Sequence, residues 1–327
     1  MKIVFMGTPD FAKESLESIL DAGHEVVGVV APPDRPKGRG MKMIACPVKE
    51  FAIEKNLKIF QPEKIVNNKE FKNEIKSLEP DLICVVSYGK ILPKSFLEIP
   101  KQGCINVHPS LLPKYRGAAP IQWAILNGDK TTGVTIMYMN EKMDAGDIII
   151  QEEFEIDENE TTGELWNRLS TIGANLLVSA ISQISDGTVK RIPQPEEYTI
   201  APMIEKNMAK IDWENFNSRK IKNLVRGLNP ILGAYSNLNG KKIKFWKIDT
   251  LEIKEFINKF TEYEEFEYRL KDMEPGFVII ADAKLGLYIR CVDGIISVLE
   301  IQGENAKKMN ISDFLRGYNL EVGYKFE

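Results

Sequence analysis

The order of apolar and polar positions divides the chain into two differently built parts. Residues 2–6 form a short apolar run, and from Asp10 onward Phe11, Leu16, Ile19 and Leu20 recur at helical spacing. Asp10 suits the N-cap of that helix and Gly23 its stop. Apolar runs return at 25–30 and 81–86, and a further strand leads through Cys104 and Ile105 into Asn106 and His108. Strands that are apolar throughout, rather than alternating, are buried on both faces and belong to parallel sheets covered by helices. The pattern predicts a doubly wound, mostly parallel, Rossmann-like α/β domain, whose ligands bind beyond the carboxyl ends of its strands.

Residues 133–139 and 147–154 read as a later strand pair. A long amphipathic helix follows over about 162–184, with Leu165, Leu169, Ile172, Leu176, Ala180 and Ile184 on one stripe, and Asp186-Gly187 ends it. From Thr188 to Pro202 the periodicity disappears and Pro193, Pro195 and Pro202 accumulate, so this stretch is expected to be a linker. Beyond it come a helix near Ser218–Gly227 and short alternating segments at 241–248, 276–281, 286–292 and 295–301, as in a small β-barrel of the OB-like kind. The expected domains are 1–187, a linker over 188–205, and a barrel over 206–327.

A chain of 327 residues exceeds one ordinary core, in keeping with two domains. No run of about eighteen apolar residues is present, so no membrane span is expected. The N-terminus reads as a strand rather than a secretory leader, and the default expectation is a cytoplasmic monomer. Cys46, Cys84, Cys104 and Cys291 are scattered, and the two histidines, His24 and His108, stand far apart, so neither a disulfide framework nor a bound metal is expected. The net charge of −4 excludes a uniformly basic nucleic-acid binder. It conceals a contrast: between Lys206 and Lys247 ten basic residues face only Asp212 and Glu214, a local charge of +8.

Candidate chemistry concentrates in a few places. The turn Gly7-Thr8-Pro9-Asp10-Phe11 follows the first strand where a dinucleotide-binding domain carries its glycine-rich turn, yet it lacks the G-x-G-x-x-G spacing. Asn106 and His108 share one face of their strand and precede the break at Pro109, so both belong at its carboxyl end. The amide of Asn106 can donate to a developing oxyanion, and the imidazole of His108 can move a proton near neutral pH. Asp144 and Asp147 both lie in the turn after the 133–139 strand, and spacing does not decide which of them, if either, reaches His108. The segment Ala31–Pro47 carries Arg35, Lys37, Arg39 and Lys42 against Asp34 alone, and reads as a basic loop mobile until phosphates neutralise it.

Taken together these stretches resemble the folate-dependent formyltransferases, and specifically the bacterial members that act on a charged tRNA. The similarity rests on Gly7 to Phe11, Pro33 to Gly40, Tyr88 to Pro93, Asn106 to Pro113, Arg116 to Ile121, Gly133 to Ile136, Met143 to Asp147, Ile211-Asp212-Trp213 and Asp313 to Gly317, in that order over nearly the whole chain. Asn-x-His with a distant Asp alone also resembles formyltransferases of glycinamide ribonucleotide and of amino sugars. The resemblance implies that Asn106, His108 and Asp144 form the catalytic trio. It implies further that Ser110, Leu111, Leu112 and Pro113 lie on 10-formyltetrahydrofolate, and that Tyr88, Ile91 and Leu92 help line its pterin pocket. Ordinary packing is an equal reading of Leu111 and Leu112.

Initiator methionyl-tRNA is the partner the resemblance implies, with the segment of Arg35, Lys37, Arg39 and Lys42 entering its acceptor end and Arg39 a leading contact. The basic stretch with Lys206, Lys210, Lys241 and Lys242 is expected to grip backbone phosphates without reading sequence. No metal is implied. The chemistry implied is acyl transfer without a covalent enzyme intermediate. The chain departs from the family around 252–275, where Glu262, Glu264, Glu265 and Glu267 crowd an extended charged stretch read as a solvated insertion. Two rival readings remain: a formyltransferase acting on a small amine, and a silent tRNA-binding module that keeps the fold.

Overall fold

The computed structural model describes residues 1–37, 41–261, 270 and 272–327, apart from the side chains of Lys37 and Lys42. Arg39 and the four glutamates at 262, 264, 265 and 267 lie outside the described residues. The described chain divides into two compact units. The first holds 1–121, 131–155 and 164–203; the second holds 122–130, 156–163 and 204–327.

The chain begins with β1 (Lys2–Gly7), α1 (Asp10–Asp21), β2 (Glu25–Val30), the hairpin β3 (Arg35–Lys37) and β4 (Lys42–Ile44), α2 (Pro47–Glu54), β5 (Ile59–Phe60) and α3 (Lys69–Ser77). It continues with β6 (Leu82–Val86), α4 (Lys94–Leu97), β7 (Cys104–His108), β8 (Arg116–Gly117) and α5 (Pro120–Leu126). Then come β9 (Thr131–Tyr138), β10 (Ile148–Glu155), α6 (Thr162–Ser185) and β11 (Ile200–Ala201). Among the described residues a seven-stranded sheet runs in the order β10-β9-β7-β6-β1-β2-β5. The pairs β5–β2, β2–β1, β1–β6 and β6–β7 are parallel, and β9 and β10 complete the sheet antiparallel. Connections leave β1 toward β2 and return to β6, so the strand order reverses between β1 and β6. Such a switch point opens a crevice at the carboxyl ends of the strands.

Both faces of the sheet are covered, which accounts for the unbroken apolar runs. Val4, Met6, Val30, Ile83, Val85 and Cys104 pack with Phe71, Ile75 and Phe96 from α3 and α4. On the other parity, Gly173 of α6 lies so close to Val107 that a Cβ there would fall 2.9 Å from its Cγ1. Phe11 and Trp166 meet edge to face at 5.3 Å and tie α1 to α6. The helix α1 is capped differently from expectation. Pro9 is its N-cap, the Pro9 carbonyl accepting from the amides of Ala12 and Lys13, and Asp10 is the first helical residue, where its charge meets the helix dipole. Gly23, at φ +78°, stops the helix as expected.

Two expectations from the first unit need correction. The basic segment 31–47 is no plain loop, because β3 and β4 pair as a hairpin whose base is pinned. Asp34 accepts from Lys49 Nζ at 2.7 Å and from Gln61 Nε2 at 2.9 Å, and Gln61 also donates to the Pro32 carbonyl. Three-residue strands interrupted by Pro36 are too short to show a period of two. Nor is the stretch 188–202 a free connection, since it is built into the first unit. Ile192 bridges Ile148, β11 pairs with β8, and the amides of Ala118 and Ala119 donate to Ala201. An extended segment held by individual hydrogen bonds needs no apolar face, so its sequence carries no period.

The second unit contains α7 (Ser218–Gly227), β12 (Ala234–Leu238), β13 (Lys241–Leu251), α8 (Ile253–Lys259), β14 (Val278–Asp282), β15 (Gly286–Arg290), β16 (Ile295–Gln302), β17 (Met309–Asn310) and a last helix over Ile311–Gly317. Its antiparallel sheet runs β12-β13-β16-β15-β14, with β17 added on β16. The final residues join the two edges. Asn237 of β12 exchanges both backbone hydrogen bonds with Glu327, while Val278 of β14 pairs with Gly323 and Tyr324. Bridged in this way by the final residues, the sheet closes into a small barrel. Phe245 is fully buried between Trp213 and Phe326, a burial worth about 2–3 kcal/mol for such a side chain. Trp213 Nε1 donates to Ser236 Oγ, which donates to the Glu327 carbonyl, so the polar atoms beside this core are satisfied.

Candidate active site

Asn106 and His108 sit on β7, beside β6 and one strand from the switch point, with Asn106 in register with Val85 and Met137. The half-buried Asn106 side chain has no hydrogen-bond partner among the described residues, which leaves its amide free to donate. His108 is 4% exposed. Its Nε2 lies 2.9 Å from the Tyr115 carbonyl; a carbonyl only accepts, so Nε2 carries a proton. That bond turns Nδ1 toward Asp144, whose Oδ2 is 3.8 Å away, in ion-pair range. A proton arriving at Nδ1 therefore faces a carboxylate. Asp144 Oδ2 also accepts from the Gly117 amide at 2.9 Å. Asp144, and not Asp147, is the acid brought to the histidine.

The loop after β7 is held from behind. Thr135 of β9 is fully buried; its Oγ1 donates to the Ser110 carbonyl at 2.6 Å and accepts from the Leu112 amide and from Gln151 Nε2. Ser110 is fully buried, with its hydroxyl on the Lys114 carbonyl, and Leu112 packs with Met137 and Ile148. Leu111 lies over Gly133, where a Cβ would fall 2.4 Å from Leu111 Cδ2. The peptide bond before Pro113 is cis. Ser110 and Leu112 thus face inward and shape the loop, while Leu111 is half-buried and Pro113 closes the turn.

The segment after β6 has the mark of a polar ligand site. Tyr88 is 5% exposed, and its hydroxyl is buried with no partner among the described residues. Burial, with a smaller contribution from the nearby Cys46 thiol, pushes this phenol up to about 12, so it remains a protonated donor. Burial raises the Cys46 thiol too. Thr8 Oγ1, at the end of β1, is a second buried hydroxyl without a partner among the described residues. Of the other two positions, Leu92 is buried in the core and Ile91 is 80% exposed. A buried neutral donor without a partner among the described residues suits a neutral heterocycle with hydrogen-bonding edges, which a pterin ring is.

The basic residues divide. Arg35 is exposed on β3, and Lys206, Lys210, Lys241 and Lys242 are exposed on the second unit, with Lys242 Nζ 3.9 Å from the centre of the Tyr235 ring. Lys222 instead pairs with Glu158 and Asp249, Arg226 donates to the Asp157 and Glu160 carbonyls, and Lys244 donates to the Leu232 carbonyl. The formal +8 of this stretch therefore overstates its outward charge. No cluster of His, Cys, Asp and Glu that could hold a metal occurs among the described residues.

Residues 1–181 match the formyl transferase family, and residues 203–319 match the formyl transferase C-terminal domain. The chain belongs to the formyl transferase family. The methionyl-tRNA formyltransferase of Clostridioides difficile is 46% identical over 324 residues, which is 99% of each chain. That of Clostridium tetani is 44% identical over 328 residues and the whole of both. Among solved structures, an N-formyltransferase from Helicobacter canadensis, in complex with folinic acid and dTDP-3-aminofucose, has a TM-score of 0.62 at 21% identity and covers 91% of this chain and 99% of its own. HypX from Aquifex aeolicus in complex with tetrahydrofolic acid has the same TM-score at 17% identity, covering 99% of this chain and 50% of that one. At such identities the likeness is one of fold.

Proposed function

We propose that this formyl transferase moves the formyl group of 10-formyltetrahydrofolate to the α-amine of initiator methionyl-tRNA, giving N-formylmethionyl-tRNA for translation initiation in the cytoplasm. The observation that carries the reading is an unpartnered amide at Asn106, next to a histidine with Asp144 on its Nδ1 side, in a chain 46% identical over 99% of its length to a methionyl-tRNA formyltransferase. The folate supplies an activated formyl carbon. Negative charge grows on the formyl oxygen as the amine adds, and Asn106 donates to that oxygen. As the formyl carbon's bond to the folate nitrogen breaks, His108, with Asp144 on its Nδ1 side, relays the proton released by the attacking amine to the departing nitrogen. Tyr88 donates to the pterin edge, with Ile91 over it and Leu111 and Pro113 along the loop beyond β7.

The tRNA is held by charge. Arg35 with Lys37, Arg39 and Lys42 meets the acceptor end, and Lys206, Lys210, Lys241 and Lys242 take backbone phosphates. With four phosphate contacts, affinity for charged initiator tRNA falls roughly 100-fold between about 50 and 200 mM salt. Folate affinity changes little over the same range, because its pocket is made of neutral donors and apolar side chains. Filter binding and folate fluorescence at several salt concentrations measure both, and equally weak salt responses would remove the phosphate-gripping surface from the account. The transfer itself is tested with a donor carrying a labelled formyl carbon. Label recovered as formylmethionine after mild hydrolysis of the tRNA supports the reading, and a tRNA left unlabelled refutes it.

A further inference from the structure

The carboxylate beside His108 stands on an unusual piece of backbone. Asp144 has a left-handed φ of +48°, and two residues later Gly146 runs so close to Tyr138 that a Cβ would fall 1.7 Å from its carbonyl oxygen. A left-handed backbone at a non-glycine residue is strained and persists only where neighbouring groups over-determine it. The over-determining group comes from the 188–202 segment. Gln194 Nε2 donates both protons into the turn, to the Asp144 carbonyl at 3.0 Å and the Gly146 carbonyl at 2.8 Å. Its Oε1 accepts from Arg116 Nε at 3.1 Å and from the terminal nitrogen Nη2 at 2.7 Å.

Arg116 is itself buried, 4.5 Å from the centre of the Tyr198 ring, and its amide donates to the Thr199 carbonyl. The neighbouring Tyr115 amide donates to Thr199 Oγ1, and the Tyr115 carbonyl is the group that fixes His108 Nε2. The same short stretch therefore holds the histidine from one side and the aspartate from the other.

We propose that Gln194 is a positioning residue for the formyl transfer. It fixes the Asp144 turn so that Oδ2 faces His108 Nδ1. A primary amide suits this position, since its nitrogen must donate twice to carbonyls while its oxygen accepts from a guanidinium. A glutamate keeps the size and the arginine partner but aims a second acceptor at two carbonyls, and a methionine keeps the volume and removes every hydrogen bond. Displacing a catalytic group by about 1 Å costs up to roughly 100-fold in rate.

This inference rests on the formyl-transfer reading above. The test is steady-state kinetics with 10-formyltetrahydrofolate and charged initiator tRNA for the full chain, Gln194→Glu, Gln194→Met, Asp144→Asn and the two double variants, with Tm measured for each. Both Gln194 variants are expected to lose about tenfold or more in kcat, with KM for folate within about threefold. In the Asp144→Asn background the same changes are expected to cost less than about twofold, because the turn no longer presents a carboxylate; coupling of this kind separates positioning from general loss of packing. Either folded Gln194 variant suffices for this comparison. A wild-type chain that fails to formylate the tRNA would sink the parent reading. A folded variant within twofold of wild-type kcat, or an equal fold-loss with and without the Asp144 carboxylate, would overturn the role of Gln194.

Discussion

Replacing Asn106 with alanine is expected to lower kcat by about 100–1,000-fold while folate affinity changes by less than about threefold. The size follows from when its hydrogen bond forms. The side chain has no hydrogen-bond partner among the described residues, so no hydrogen bond among them must be broken before it donates. Charge accumulates on the formyl oxygen only as the amine adds, and a donor aimed at that oxygen stabilises the transition state more than the ground state. The loss is therefore expected to fall on kcat and to leave folate affinity nearly unchanged. Rapid-quench turnover with folate affinity by fluorescence separates the two quantities. An equal loss in both would make Asn106 a folate-binding residue only.

Replacing His108 with glutamine is expected to lower kcat by about 100–10,000-fold, the range for a positioned proton carrier. The bond from Nε2 to the Tyr115 carbonyl can be remade by a glutamine amide, so the loop after β7 keeps its anchor and the fold survives. What disappears is a ring nitrogen that gains and loses a proton 3.8 Å from Asp144 Oδ2. A variant that keeps wild-type turnover would show that the proton travels by another route. Circular dichroism and Tm provide the control for folding.

Much of the fold was legible because burial on both sides of a parallel sheet leaves unbroken apolar runs, as at 2–6, 25–30 and 81–86. The long helix α6 was legible for a similar reason, since its stripe repeats over several turns. Asn106 and His108 were placed on one face by the period of two alone. Asp144 was not separable from Asp147, because only the left-handed turn at Asp144 and the close approach at Gly146 send one carboxylate toward the ring. Gln194 left no trace: a proline-bearing stretch without periodicity reads as a linker, although four side-chain hydrogen bonds tie one of its amides into the site.

Inward-facing polar groups were equally hidden. Ser110 occupies a buried hydrogen bond, and Lys222 and Arg226 are buried against partners far away in sequence. Charge counting treats such groups as surface. The barrel strands were visible, but its closure was not, because the bonds from 323–327 to β12 and β14 depend on backbone amides rather than on side-chain pattern. Lys206, Lys210, Arg219, Lys220, Lys241, Lys242 and Lys247 are the basic residues of that stretch that stand exposed.

The most direct test of formyl transfer to a charged tRNA is a competition in one vessel. Labelled 10-formyltetrahydrofolate would be offered together with initiator methionyl-tRNA, free methionine and a sugar amine, and the initial partition of label would give the ratio of kcat/KM values. Label is expected on the methionyl-tRNA in at least a roughly 1,000-fold preference over either small amine, since neither small amine carries a phosphate backbone for the proposed basic surface to hold. Label appearing first on the sugar amine or on free methionine would contradict transfer to the tRNA.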